Sequence, residues 1–283
     1  MTYASTLTVL TGAKDDGIAL TTAAQFARST GGVARCLLAL PLLIMADWAG
    51  AVGGVYVTEA LVDSIEQSNA QARRQTEALV RDITRQEGLE ISESGGRIVV
   101  LNEQPTSQLS FIGETPLTDL VIVGPSTLVD LGVWSGLVSD GVMRAYTPLL
   151  VTRRIASDGV AAIAWDGGEA AGRAVRAALP LLRTASKVIV LQDPDNISSK
   201  NRGAADPERL TEYLRLHGVM ASDVVRQDKA SRDNRLAALC RELDVELLVA
   251  GAFSHARLTE EIMGGCTGSL VERVQDFNLF LAH

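Results

Sequence analysis

One order of apolar and polar residues occurs twice in this chain of 283 residues and limits its fold more than any other feature. A strand predicted at residues 6–10 is followed by a polar turn and by an amphipathic helix at residues 18–28. The same order returns with a strand at 160–165 and a helix at 169–182. Because amphipathic helices between apolar strands are typical of a parallel sheet covered by helices, the repeat predicts two α/β units in tandem.

The later strands of the two copies also correspond. Residues 119–124 (DLVIVG) match residues 246–251 (ELLVAG), and residues 147–152 (TPLLVT) match residues 277–282 (FNLFLA). The strands are almost wholly aliphatic, which is typical of parallel strands buried on both faces. We therefore predict two open, doubly wound, Rossmann-like parallel sheets of five strands each. The predicted domains are residues 1–155, the more divergent copy, and residues 158–283.

Composition excludes several classes of partner. The net charge is −8 and the pI is near 5.0, which disfavours nucleic acid and anionic membranes as partners but allows a small anionic ligand held by backbone amides. The apolar stretch at residues 33–57 is interrupted by Arg35, Pro41 and Asp47 and lacks the ~20 apolar residues of a spanning helix. No signal-peptide pattern is found at the start, so a cytoplasmic location is expected. Three scattered cysteines and three scattered histidines predict neither a disulfide framework nor a metal centre.

Residues that could carry a function follow the strand ending near residue 250. In a doubly wound sheet, ligands lie beyond the carboxyl ends of the strands, where the strand order reverses. Gly251 ends the strand, and Gly264 and Gly265 separate a short helix at 258–263 from the next helix. A glycine turn that opens a helix presents free backbone N–H groups to phosphate, and the Thr267 hydroxyl could add a donor. The alternative is that Gly264 and Gly265 only form the C-cap of the short helix.

Asp166 and Gly167 follow the first strand of the second copy. The carboxylate could accept a hydrogen bond from an amine or hydroxyl of a ligand, or it could cap the following helix; both interpretations stay open. Ser254 and His255 are adjacent but lack a third orienting group and a G-x-S-x-G motif. We therefore predict no catalytic Ser–His pair.

The segments WDGGEAAGRA at 165–174 and GAFSHARLTEEIMGGCTGSLVERV at 251–274, together with the tandem order, resemble a tandem universal stress protein. Many members of that family bind ATP through the motif G-x2-G-x9-G-[S/T] near the C-terminus. In this chain the four motif positions are occupied by Gly251, Ser254, Gly264 and Gly265, of which two match. The strand-end aspartate that contacts nucleotide in the family corresponds to Asp166.

The resemblance implies ATP or AMP as ligand in the second copy, with Mg²⁺ only if ATP is bound. Asp166 would hold the adenosine end, and Gly167 beside it is a further candidate binding residue. The ribose and phosphates would lie on the backbone of two segments, one from Gly251 through Ser254 to His255 and one from Gly264 through Gly265 and Cys266 to Thr267. The first copy has Gly12 in place of the strand-end aspartate, and no nucleotide is expected there.

The resemblance further implies a regulatory stress-response protein without turnover. The alternatives are a slow ATPase or nucleotide hydrolase of the same fold, and a protein–protein adaptor whose pockets are vestigial. The halves are expected to form an internal pseudo-dimer through residues 149–152 and 278–282, and two chains could associate as a homodimer.

Overall fold

The computed structural model describes residues 2–39, 59–91, 97–101, 107–129, 138, 144–155, 158–192, 197, 199, 201, 203–226, 235–251 and 276–283. The chain divides into two compact units. One unit is Tyr3–Gly141, and the other is Val142–His283 together with Met1–Thr2.

The first unit contains a parallel sheet with the strand order β3-β2-β1-β4. The chain builds outward from β1 to β3 and then returns to place β4 on the other side of β1, which creates a switch point between β1 and β4. All four residues of β4 are buried, as expected for a strand covered on both faces. The elements are β1 (Ser5–Leu10), α1 (Asp16–Thr30), β2 (Val33–Leu38), α2 (Glu59–Gln86), β3 (Ile98–Leu101), α3 (Ser107–Glu114) with a 3-10 turn at Thr115–Leu117, β4 (Leu120–Val123) and α4 (Pro125–Val129).

Helix α1 packs on β1, β2 and β4, and the long helix α2 packs against α1. The buried face of α1 is built largely of alanines, which let the helix approach the sheet closely. Gly31 follows helix α1 as its C-cap residue, and its φ of 69° is the left-handed conformation typical of a helix C-terminus. Helix α2 buries part of its surface as well, and its buried residues include Val80 and Ile83.

The second unit contains a sheet with the strand order β5-β10-β9-β6-β7-β8. All neighbours are parallel except β5 and β10. The switch point here lies between β6 and β9. The elements are β5 (Leu149–Val151), β6 (Val160–Ala164), α5 (Glu169–Leu182), β7 (Lys187–Gln192), α6 (Pro207–Leu216), β8 (Ala221–Arg226), α7 (Arg235–Glu242), β9 (Val245–Gly251) and β10 (Asn278–Ala282).

Strand β5 lies antiparallel to β10, with Leu149 opposite Leu281. The two segments that were predicted to pair therefore do so, and β5 is part of the second compact unit. The buried side chain of Asn278 fixes the chain that follows β5, because its Oδ1 accepts from the amides of Arg153 at 2.8 Å and Arg154 at 3.1 Å. The predicted domain limits and the internal pseudo-dimer remain predictions.

Candidate functional site

The turn after β6 lies at the switch point of the second unit. Strand β6 ends at Ala164, and helix α5 begins at Glu169 with Gly168 as its N-cap residue. Asp166 Oδ1 accepts a hydrogen bond from the Gly168 amide at 2.8 Å, which closes the turn. The carboxylate is only partly buried. Asp166 is therefore held at the edge of the sheet where ligands bind in folds of this kind.

Gly167 has a φ of 73°, a conformation that residues with a Cβ rarely adopt. A Cβ at this position would also overlap the backbone nitrogen of Ala205 and would lie 2.7 Å from the carbonyl carbon of Ala204. Gln192, at the end of β7, donates from Nε2 to the carbonyl oxygen of Ala205 and holds that segment in place. The connection between β7 and α6 thus rests directly on the turn that carries Asp166, and glycine is required there.

Gly251 ends β9 beside β6, where Ala164 pairs with Ala250. A Cβ on Gly251 would overlap the backbone nitrogen of Ala171 and would lie 2.7 Å from the carbonyl carbon of Ala170. The first turn of α5 therefore lies against the carboxyl end of β9, and only glycine permits this approach. The structure thus brings Asp166, Gly167 and Gly251 to one edge of one sheet.

The other predicted site residues lie outside the described residues. These are Ser254, His255, Gly264, Gly265, Cys266 and Thr267. Their role in holding ribose and phosphates stays a prediction, as does the alternative that the two glycines form a helix C-cap.

The switch point of the first unit is built differently. The loop after β1 folds back onto Asp16, whose Oδ2 accepts from the amides of Thr11 at 2.8 Å and Gly12 at 2.7 Å. The Asp16 side chain is buried, and this burial raises the pKa of its carboxyl to about 6. The two backbone donors act in the opposite direction, and the nearby charge of Asp15 adds to the increase in pKa.

Asp15 reaches from the same loop to the end of β4. Its Oδ2 accepts from the Ser126 amide at 2.8 Å, and a Cβ on Gly124 would lie 2.5 Å from that oxygen. Gly124 therefore makes room for a carboxylate of the protein itself. In the part of this switch point that the structure describes, the amides of Thr11, Gly12 and Ser126 are already occupied by Asp15 and Asp16.

The sequence did not indicate several residues at the carboxyl edge of the second unit. Trp165 has a buried indole Nε1 with no hydrogen-bond partner among the described residues. Tyr146, which precedes β5, contacts both Arg173 in α5 and His283 after β10. Their positions 27 and 110 residues apart match no motif, and only the unusual φ of 53° at Tyr146 marks the place in the structure.

The described residues offer little for metal or thiol chemistry. No group of three or more His, Cys, Asp or Glu that could hold a metal ion occurs among them. Cys36 and Cys240 are buried, and burial raises the pKa of each thiol to about 12, so neither presents a reactive thiolate. In the parts of the chain that the structure describes, no helix combines the length and apolar character needed to cross a bilayer.

The similarity of this chain to known proteins is found in its structure. No protein-family model and no curated protein sequence matches the chain. A universal stress protein from Archaeoglobus fulgidus DSM 4304 matches 99% of this chain and 96% of its own, with a TM-score of 0.63 and 13% identity. The two chains thus share a fold over nearly their whole lengths. The protein is a doubly wound α/β protein, and its fold is that of a universal stress protein, as the sequence predicted.

Two further structures match part of the chain. A universal stress family protein from Burkholderia pseudomallei covers 37% of this chain and 89% of its own, with 21% identity and a TM-score of 0.28. A universal stress protein solved in complex with cAMP covers 44% of this chain and 97% of its own, with 16% identity and a TM-score of 0.30.

Proposed function

We propose that the protein is a tandem universal stress protein whose second half binds an adenine nucleotide and acts as a regulatory factor without turnover. The observation that carries the proposal is the meeting of Asp166, Gly167 and Gly251 at the switch point between β6 and β9. Both glycines sit where the backbone of another element approaches too closely for a side chain. The fold shared with a universal stress protein supports the choice of ligand class.

In this proposal Asp166 accepts a hydrogen bond from the adenosine part of the ligand. Its carboxylate is already oriented by the Gly168 amide, so little freedom is lost when the ligand binds. ATP and AMP are the proposed ligands, with Mg²⁺ accompanying ATP only. The proposal also includes a cytoplasmic location and a homodimer.

Native mass spectrometry of the freshly purified protein, followed by a thermal-shift titration with ATP·Mg²⁺, AMP and cAMP, tests the proposal. We expect a co-purified nucleotide or a saturable rise in melting temperature, because a ligand that binds the folded state stabilises it. Asp166→Asn keeps an oxygen for the Gly168 amide but removes the charge. Loss of a charged hydrogen bond should weaken binding by about tenfold or more.

Asp244→Asn is the matched control. Asp244 precedes β9 and lies at the opposite end of that strand from Gly251, and asparagine tolerates its φ of 50°. This variant should bind as the wild type does. A protein that carries no nucleotide and is stabilised by none would show the proposal to be wrong. Phosphate release that depends on Asp166 would instead favour the slow hydrolase.

A further inference from the structure

Tyr146, Arg173 and His283 form a small cluster at the carboxyl edge of the second unit, here called the Tyr146 cluster. The ring of Tyr146 lies parallel to that of His283, with an interplanar angle of 9° and centroids 6.1 Å apart. The Cζ atom of Arg173 is 5.7 Å from the centroid of the Tyr146 ring, within the range of a cation–π contact. One cation thus lies against a tyrosine ring that itself stacks on a histidine ring.

The cluster is continuous with the proposed nucleotide site. His283 follows Ala282, which pairs with Gly251 at the end of β9. Arg173 lies one turn further along α5 than Glu169, or about 6 Å along the helix axis. The first turn of this helix contacts Gly251. The cluster therefore flanks the same edge that carries Asp166, on the side of β10.

Arg173 has capacity to bind an anion. Its Nη2 lies 3.0 Å from Oε2 of Glu169, and among the described residues its remaining N–H groups have no hydrogen-bond acceptor. The side chain of Glu169 is 89% exposed, so this pair is weak and Glu169 can turn away when a stronger anion arrives. Guanidinium groups bind phosphate oxygens through two parallel hydrogen bonds, which makes phosphate the matching ligand group.

The backbone conformation of Tyr146 is unfavourable for a tyrosine, and the fold alone does not require one there. It adopts a φ of 53°, which disfavours a bulky side chain, and it is 63% exposed. Glycine or asparagine would satisfy the turn before β5 with less strain. The exposed ring therefore contributes through its contacts with Arg173 and His283, and backbone strain of this kind is concentrated at binding sites.

We propose that the Tyr146 cluster binds the phosphate end of the nucleotide, with Arg173 contacting the phosphate oxygens, Tyr146 holding the guanidinium in place and His283 stacking on the Tyr146 ring. This inference rests on the proposed function, because it extends the same site. It assigns the adenosine end to Asp166 and adds the Arg173 side chain to the predicted backbone donors at the phosphate end, so the two ends can be tested separately.

Isothermal titration of wild type, Arg173→Gln and Tyr146→Gly with ATP, adenosine and inorganic tripolyphosphate tests the assignment. Arg173→Gln should weaken ATP and tripolyphosphate binding about tenfold or more, because a charged contact to phosphate is lost, and should leave adenosine binding unchanged. Tyr146→Gly should weaken ATP binding in the same direction while the melting temperature stays equal or rises, since glycine accepts the local φ.

Arg176→Gln is the matched control, because Arg176 is exposed on the same helix and is absent from the cluster. If Arg173→Gln binds ATP as well as Arg176→Gln does, or weakens ATP and adenosine equally, the inference is overturned and the proposed function stands. If none of the three ligands binds the wild type, both are overturned. Loss of ATP binding in Tyr146→Gly with unchanged stability would support the cluster as a recognition element.

Discussion

The carboxyl edges of the two halves have the same strand topology, but their side chains and hydrogen bonds differ. In the first half, Asp15 and Asp16 occupy backbone amides at the switch point between β1 and β4. In the second half, Asp166 bonds within its own turn beside the switch point between β6 and β9. The fold decides where a ligand can bind, and the local side chains decide whether the donors there are available.

Gly124 and Gly251 show this difference at equivalent positions, each at the end of the strand beyond the switch point. Gly124 makes room for the Asp15 carboxylate, which is a side chain that can move. Gly251 makes room for the backbone of α5, which can move only if the whole helix shifts. Glycine at position 124 therefore leaves space for a carboxylate of the protein, and glycine at position 251 allows a helix to pack closely on the strand end.

The largest expected effect comes from adding a methyl group at these two glycines. Gly251→Ala should lower the free energy of unfolding by roughly 3–4 kcal/mol, since its Cβ meets helix backbone. Gly124→Ala should lower it by about 1–2 kcal/mol, because Asp15 can rotate away and lose one hydrogen bond. Chemical denaturation of both variants measures the difference. Gly203→Ala, where a Cβ meets nothing within 4 Å, is the control, and equal losses at 124 and 251 would refute the distinction.

The next effect concerns pH and Asp16. Its carboxyl has a pKa of about 6 in the folded protein against an ordinary 3.8, so the folded state binds the proton more tightly than the unfolded state. Stability should therefore fall as the pH rises from about 4 to about 6, and the ionised group then costs up to about 3 kcal/mol. Asp16→Asn stays neutral and keeps an oxygen for the Thr11 and Gly12 amides. It should be more stable than wild type at pH 8 and similar at pH 4.

Denaturation curves for both proteins at several pH values measure this effect. Asp16→Ala is the informative companion, because it leaves both amides without their acceptor and should be less stable than Asp16→Asn at every pH. A wild-type protein that gains stability relative to Asp16→Asn between pH 4 and pH 8 would mean that the burial of Asp16 does not dominate its pKa.

The smallest effect is expected for Asp15→Ala, which should lower stability by about 1 kcal/mol because the Ser126 amide loses its acceptor. Asp82→Ala is the control, since Asp82 forms an exposed pair with Arg85 that contributes little. The melting temperature of Asp15→Ala should be lower than that of Asp82→Ala. A loss at Asp82 as large as that at Asp15 would show that the Asp15 contact contributes nothing specific.

The fold could be predicted because its signals are local and repeated. Apolar runs fixed the strands, and the amphipathic pattern at 169–182 gave helix α5 with the bounds that the structure shows. Asp166 was found because it follows directly after a strand. By contrast, nothing in the sequence showed that Asp16 would turn back to the Thr11 amide, since this contact depends on the path of a loop. The contact of Gly167 with Ala205 likewise joins segments far apart in the chain.

The antiparallel pair of β5 and β10 determines where the chain can be cleaved without leaving an unpaired strand. Cleavage between β5 and β6 would leave β5 on the amino-terminal fragment and deprive β10 of its partner on one side. The side chains of Leu279, Phe280 and Leu281 are buried in the intact protein, so the fragment would present an apolar strand with unpaired backbone groups. Such an edge recruits other strands, and the carboxyl-terminal fragment should aggregate. Cleavage ahead of β5 would keep this sheet whole.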